Sequence, residues 1–163
     1  MSGPRELLVY EFGPDAEYEG RLVGALERIE GEASSRVLDG VFVGVDAESG
    51  ALEAIDLRSG GPSQAVARLL TFRLDPSARR RATERALGDS GSVPAATLRE
   101  LAGALEPGGA LVALLVERVE SDELDAAVSH SGGWALGASS VEAASLAEIA
   151  PELATLVSSR RRS

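Results

Sequence analysis

Ala110-Leu-Val-Ala-Leu-Leu-Val116 is the longest apolar run in the chain, and it is apolar at every position instead of at alternate ones. Its length suits a strand and falls far short of the ~18 apolar residues that a membrane-spanning helix needs. A strand with no polar side cannot turn either surface to water. It therefore reads as a central strand, either covered on both sides or covered on one and buried in an oligomer contact on the other. Pro107-Gly108-Gly109, just before it, ends the preceding helical pattern.

The other elements are assembled around that strand. Arg5 to Phe12 alternates loosely and is rich in Leu, Val, Tyr and Phe, which predicts a first strand. Gly13-Pro14-Asp15 breaks it. From Tyr18, the residues Leu22, Ala25, Leu26 and Ile29 form the stripe of an amphipathic helix. Arg36 to Val45, then Asp46-Ala-Glu-Ser-Gly50, then Ala51 to Leu57 reads as a β-hairpin, because a Gly-ended loop joins two strand-like runs. The order β-α-β-β is the first half of a split βαβ motif.

Val66, Leu69 and Leu70 mark a further helix that Pro76 interrupts, and Arg79 to Leu87 a second, more exposed one. Ser92 is the candidate cap for a helix carrying Leu98, Leu101, Ala102 and Leu105. Ser121 or Asp122 opens another, with Leu124, Ala127 and Val128 inward. Trp134 to Gly137 is a short edge strand. Ser139-Ser-Val-Glu142 fits a capping box, and Leu146, Ile149, Leu153, Leu156 and Val157 keep helical spacing to the end, with Pro151 predicting a kink or two short helices. The expected fold class is α+β, a ferredoxin-like βαββ-(αα)-αβ-αβ sandwich over residues 1–140, with 62–105 a helical insertion or crossover. Residues 141–163 form a C-terminal amphipathic helical arm.

Composition closes off several chemistries. With 163 residues and 44% hydrophobic content the chain can bury a core, which must be mainly aliphatic because aromatics are 4%. It has no Cys, so disulfides, iron–sulfur clusters and thiolate zinc sites are excluded. All 16 basic residues are Arg, which excludes a Schiff-base lysine and a P-loop lysine. Met1 to Tyr10 lacks the basic and apolar regions of a signal peptide, and the expected location is cytoplasmic. A net charge of −10 argues against nucleic acid or an anionic membrane as main partner. The charge is uneven: between Pro62 and Asp89 six Arg stand against three acidic residues, a local +3, and Arg160-Arg161-Arg162 forms a second basic run.

Three stretches carry a resemblance: Leu7-Leu-Val-Tyr-Glu-Phe12 with the Tyr18 to Ile29 helix; Arg36-Val-Leu-Asp-Gly-Val-Phe-Val43 with Glu53-Ala-Ile-Asp-Leu57; and Leu105 to Glu117 followed by Leu124 to Gly133. Over more than half its length the chain resembles a family of uncharacterised actinobacterial domains related to bacterial general-stress-type proteins. The resemblance implies the α+β fold and a stress-related setting. It implies no catalytic residue, cofactor or substrate. Relatives often carry a glycine-rich apolar segment after the hairpin, where this chain has its Arg-rich stretch.

Candidate sites are few. Gly88-Asp-Ser-Gly91 matches a serine-protease nucleophile stretch, but the chain's one histidine, His130, follows it, and these are ordinary loop residues. His130 closes a predicted helix, where an imidazolium suits the carbonyl end of the dipole. It becomes a base or ligand contact only if Tyr10, Trp134 or a carboxylate converges on it. Asp46, Glu48 and Asp56 near the hairpin lack the calcium-loop pattern. Gly60-Gly-Pro-Ser63 precedes a helix but follows no phosphate-binding motif. No metal or cofactor is expected.

Arg79, Arg80, Arg81, Leu153, Leu156 and Val157 are the candidate interface residues, although a stripe such as Leu146 to Val157 is more often core, the alternative being a terminal arm that packs on a neighbouring subunit. The leading expectation is a non-catalytic module that binds copies of itself or another protein. The alternatives are a small-molecule sensor with a cleft near Trp134, His130 and Tyr10, and a cofactor-free enzyme of the dimeric ferredoxin-like kind.

Overall fold

A computed structural model describes residues 5–13, 36–56, 75–88, 93–117, 133–141 and 146–162. The expected helices over 18–29, 63–74 and 121–132 lie outside the described residues, as do Ser92 and His130. The described elements are β1 (Arg5–Phe12), β2 (Arg36–Val45), β3 (Leu52–Asp56), α1 (Pro76–Leu87), α2 (Ala95–Gly103), β4 (Ala110–Glu117) and β5 (Gly133–Val141). A 3₁₀ turn (Leu146–Ile149) follows and leads into α3 (Ala150–Arg162). The protein is α+β.

The strands form one sheet in the order β3-β2-β4-β1-β5. β4 pairs antiparallel with β1 and β2, β5 antiparallel with β1, and β3 antiparallel with β2. β1 and β2 are thus parallel to each other and separated by β4. The all-apolar run takes the centre because only there do neighbouring strands and both faces shelter it; Ala110 to Val116 are 0–2% exposed. The hairpin partner β3, half-buried and carrying Glu53 and Asp56, takes the edge outside β2.

Local chemistry fixes the connections. In the hairpin, the Asp46 side chain accepts from the N–H groups of Glu48 and Ser49, both at 2.8 Å, and Gly50 closes the turn at φ 72. These two hydrogen bonds, helped by the Arg79 charge, hold the Asp46 carboxyl below its ordinary pKa. Before β4, Gly108 at φ 85 donates to the Val45 carbonyl at 2.8 Å, and the Val45 N–H donates to the Gly109 carbonyl at 3.1 Å. This turn thereby carries the β2–β4 ladder to Val45, the last residue of β2, ahead of the start of β4.

One face of the sheet presents Leu7, Val9, Val41, Val43, Ala54, Leu111, Ala113 and Leu115, which pack with Leu98 and Leu101 of α2, Leu146 and Ile149 of the 3₁₀ turn, and Leu153 and Val157 of α3. The other face is buried as well, with Leu8, Tyr10, Phe12, Phe42, Val112 and Leu114 at 0–2% exposure. In β2 an extra residue, Leu38, stands between the paired Val37 and Asp39. That bulge sets Asp39 opposite Leu115, on the helix-covered face.

Two expectations need correction. Ser139 and Ser140 do not cap a helix: they lie in β5, paired with Leu7 and Glu6 of β1. A ladder of backbone hydrogen bonds along β1 outweighs a single cap, and β5 runs nine residues instead of four. Pro76 does not merely interrupt a helix; it occupies the first turn of α1, after Asp75 as N-cap, whose Oδ1 accepts from Ser77 N at 2.9 Å. Pro151, by contrast, falls where expected, between a 3₁₀ turn and the body of α3.

Candidate functional site

The outer edge of β3 is closed by α1. The N–H of Ala54 points away from β2 and donates to Thr83 Oγ1 at 3.0 Å, and the Thr83 hydroxyl in turn donates to the Arg79 carbonyl at 2.9 Å. Arg79 Nη1 lies 3.2 Å from Glu53 Oε2, both side chains about a quarter exposed. Thr83 therefore satisfies an edge N–H that would otherwise offer a strand-pairing site. α1 buries only Ala86 fully, so polar contacts supply much of its attachment.

Between the hairpin tip and α1 lies an open groove of about 350 Å³, lined by Asp46, Ser49, Glu53, Arg79, Arg80 and Glu84 among others. Its carboxylates and guanidiniums are interleaved. Asp46 is committed to its own turn and Arg79 to Glu53, so the groove has no concentrated charge of one sign.

Outside the groove the picture changes. Arg81 and Arg85 are exposed, one helical turn apart, and Arg80 is exposed at the groove wall. The described side chains give none of these three an ion pair, whereas Arg79 has one. Exposed carboxylates stand on α1 itself at Glu84, on α2 at Glu100, in the 3₁₀ turn at Glu148 and in the first turn of α3 at Glu152. α1 borders β3 and α2, while α3 borders α2 and β5.

The remaining expected site residues fall as follows. Tyr10 is 1% exposed in the centre of the sheet, and a ligand cannot reach it without displacing packed side chains. Trp134 lies in β5 at the register of Glu11, adjacent along the ladder to the pair Tyr10 and Ala135. His130 is outside the described residues.

Leu153 and Val157 are 0% and 4% exposed within the chain's own core, with Leu156 packed against it. Burial of that kind stabilises by about 1.5–3 kcal/mol per side chain. The apolar stripe assigned to an interface is thus occupied within one copy. Of the candidate interface residues, Arg80 and Arg81 remain at the surface. Among the described residues there is no group of His, Cys, Asp and Glu placed to hold a metal ion, and no helix is long and apolar enough to cross a membrane.

Asp39 and Thr83 were not anticipated. The signal for Asp39 is a lone carboxylate inside the apolar Val37 to Val45 run; nothing in the local sequence marks Thr83. No protein-family model, curated protein or solved structure matches the chain.

Proposed function

We propose that this chain is a non-catalytic, cytoplasmic module that associates with copies of itself or with another protein through surface charge. The observation that carries the reading is the exposed arginine set on α1, Arg80, Arg81 and Arg85, without an ion pair among the described side chains of a chain whose net charge is −10. Exposed like charges one turn apart repel, and their local cost is relieved when an acidic surface arrives. The buried Tyr10 favours this reading over the small-molecule sensor. The resemblance to general-stress-type actinobacterial domains adds a stress-related setting.

In the same proposal the fold is ferredoxin-like. The order β5-β1-β4-β2 follows the pattern in which two parallel strands are split by an antiparallel one, and β3 is an added edge strand sealed by α1. Sealing that edge closes strand addition at β3 as a route to a partner.

Replacing Arg80, Arg81 and Arg85 together by Gln tests the function. Light scattering is expected to show a fall in mass towards 16.9 kDa relative to the unaltered chain, with the circular dichroism unchanged. An unaltered chain and a triple variant of equal, multimeric mass would refute it.

A further inference from the structure

We infer that α1 is a detachable strap over the β3 edge, and that lifting it lets β3 pair antiparallel with β3 of a second copy. This contact is separate from the arginine set proposed above and does not rest on it. Three observations lead to it. First, α1 is held more lightly than the rest of the helix layer: it buries Ala86 alone fully, whereas α2 buries Leu98 and Leu101, and α3 buries Leu153 and Val157. Second, its grip on the edge is polar and within reach of water. Thr83 Oγ1 accepts from Ala54 N at 3.0 Å, and Arg79 Nη1 meets Glu53 Oε2 at 3.2 Å with both side chains about a quarter exposed. Contacts of this kind each contribute little against solvent. Third, the strap covers a pairing site. β3 is the terminal strand of the sheet, and the N–H of Ala54, the midpoint of its five residues, points away from β2.

The register names the occupant. Antiparallel pairing of β3 with its own copy is two-fold symmetric, and centred on Ala54 it sets Glu53 opposite Ile55 and Leu52 opposite Asp56 of the second β3. No two carboxylates then face each other directly. Ala54 of each copy exchanges N–H and C=O bonds with the other, which replaces the acceptor that Thr83 withdraws. Segments with few buried apolar contacts open at a lower free energy than the whole molecule unfolds, and α1 is such a segment.

The test is made in about 1 M salt, where contacts between exposed charges are screened, so its outcome is independent of the arginines. Hydrogen exchange on the full chain reads the strap. The amides of Thr83, Arg85 and Ala86 are expected to exchange together with that of Ala54, about 100-fold faster than those of Val112 and Leu114 in β4. Thr83→Val/Arg79→Gln removes both grips and should quicken the α1 group about tenfold further. At the same salt the unaltered chain is expected at 16.9 kDa, and the double variant at a mass that rises towards twice that with concentration. The Ala54 amide of the variant should become more protected as the mass rises.

α1 amides that exchange no faster than those of β4 overturn the strap. A double variant that stays at 16.9 kDa at every concentration overturns the pairing, and so does a dimer that leaves the Ala54 amide unprotected. Should the double variant lose its circular dichroism, Arg79→Gln alone replaces it, with about a threefold quickening of the α1 group and the same gain in Ala54 protection on concentration.

Discussion

Asp39 of β2 accepts the backbone N–H of Leu146 through Oδ2 at 2.9 Å, across 107 positions of chain. Its other oxygen, Oδ1, accepts from the Gly40 N–H at 2.8 Å, and the residue is 1% exposed. One carboxylate therefore ties the start of the C-terminal helical segment to the sheet. Both oxygens act as acceptors, a demand that neither Asn nor Ala meets. Asp39→Ala leaves the Leu146 N–H buried without this acceptor and is expected to cost about 2–3 kcal/mol. Urea unfolding gives the value, and amide exchange at Leu146 should quicken. A loss below about 0.5 kcal/mol would show that the tie is not needed.

Thr83 performs a comparable task at the sheet edge, where its hydroxyl bridges the Ala54 N–H and the Arg79 carbonyl. Thr83→Val keeps the shape and removes the acceptor. The expected loss is about 1–2 kcal/mol, with faster exchange of the Ala54 amide. Thr83→Ser, which retains the hydroxyl, should protect that amide nearly as well. Equal exchange in the two variants would contradict the bridge.

The Asp46 carboxyl titrates below the ordinary aspartate range because the ionised form accepts from Ser49 N and Glu48 N. A carboxyl whose folded pKa is depressed contributes stability above its unfolded pKa, and the contribution fades as pH falls through the folded pKa. Carboxyl carbon shifts followed by NMR should place the Asp46 midpoint below 3.8. Loosening of the hairpin turn should accompany it as pH falls through that midpoint. A midpoint at or above 3.8 would contradict the hydrogen-bonded turn.

Gly109 has no room for a side chain: a Cβ there would stand 3.0 Å from the Glu106 carbonyl oxygen and 3.4 Å from that of Phe12, both backbone atoms. Gly109→Ala must move the turn that pairs with Val45 at the end of β2, at a cost of about 1–3 kcal/mol. Gly103→Ala, where nothing lies within 4 Å, is the control and should be neutral or stabilising. Similar melting temperatures for the two variants would refute the steric reading.

Much of the described frame was legible in local patterns. β1, the 36–56 hairpin and β4 are runs of apolar or β-branched residues bounded by glycine, and they fold where their own composition sends them. Pro151 and the two-part C-terminal helix follow from the fixed φ of proline. What was not legible depends on partners distant in sequence. Ser139 and Ser140 look like cap residues until β1 pairs with them, and the Leu146 to Val157 stripe reads equally as core or as an interface arm until α2 and the sheet cover it. Strand order was hidden for the same reason: that β4, and not the hairpin partner β3, separates β1 from β2 depends on burial at both faces of β4, which composition suggests but topology decides. The surface arginines were visible as a basic run. Only the helix geometry separates Arg79, held by Glu53, from Arg80, Arg81 and Arg85.

Self-association through the α1 arginines is tested most directly by the mass of the unaltered chain, measured by sedimentation equilibrium over a dilution series in about 0.1 M and about 1 M salt. At the lower salt the screening length, about 10 Å, damps whole-molecule repulsion and preserves contact between facing charges; at the higher it shrinks to about 3 Å. The expected result is a mass well above 16.9 kDa at the lower salt that falls on dilution, and a return towards 16.9 kDa at the higher. A mass of 16.9 kDa at every concentration and salt, or a multimer indifferent to salt, would contradict it.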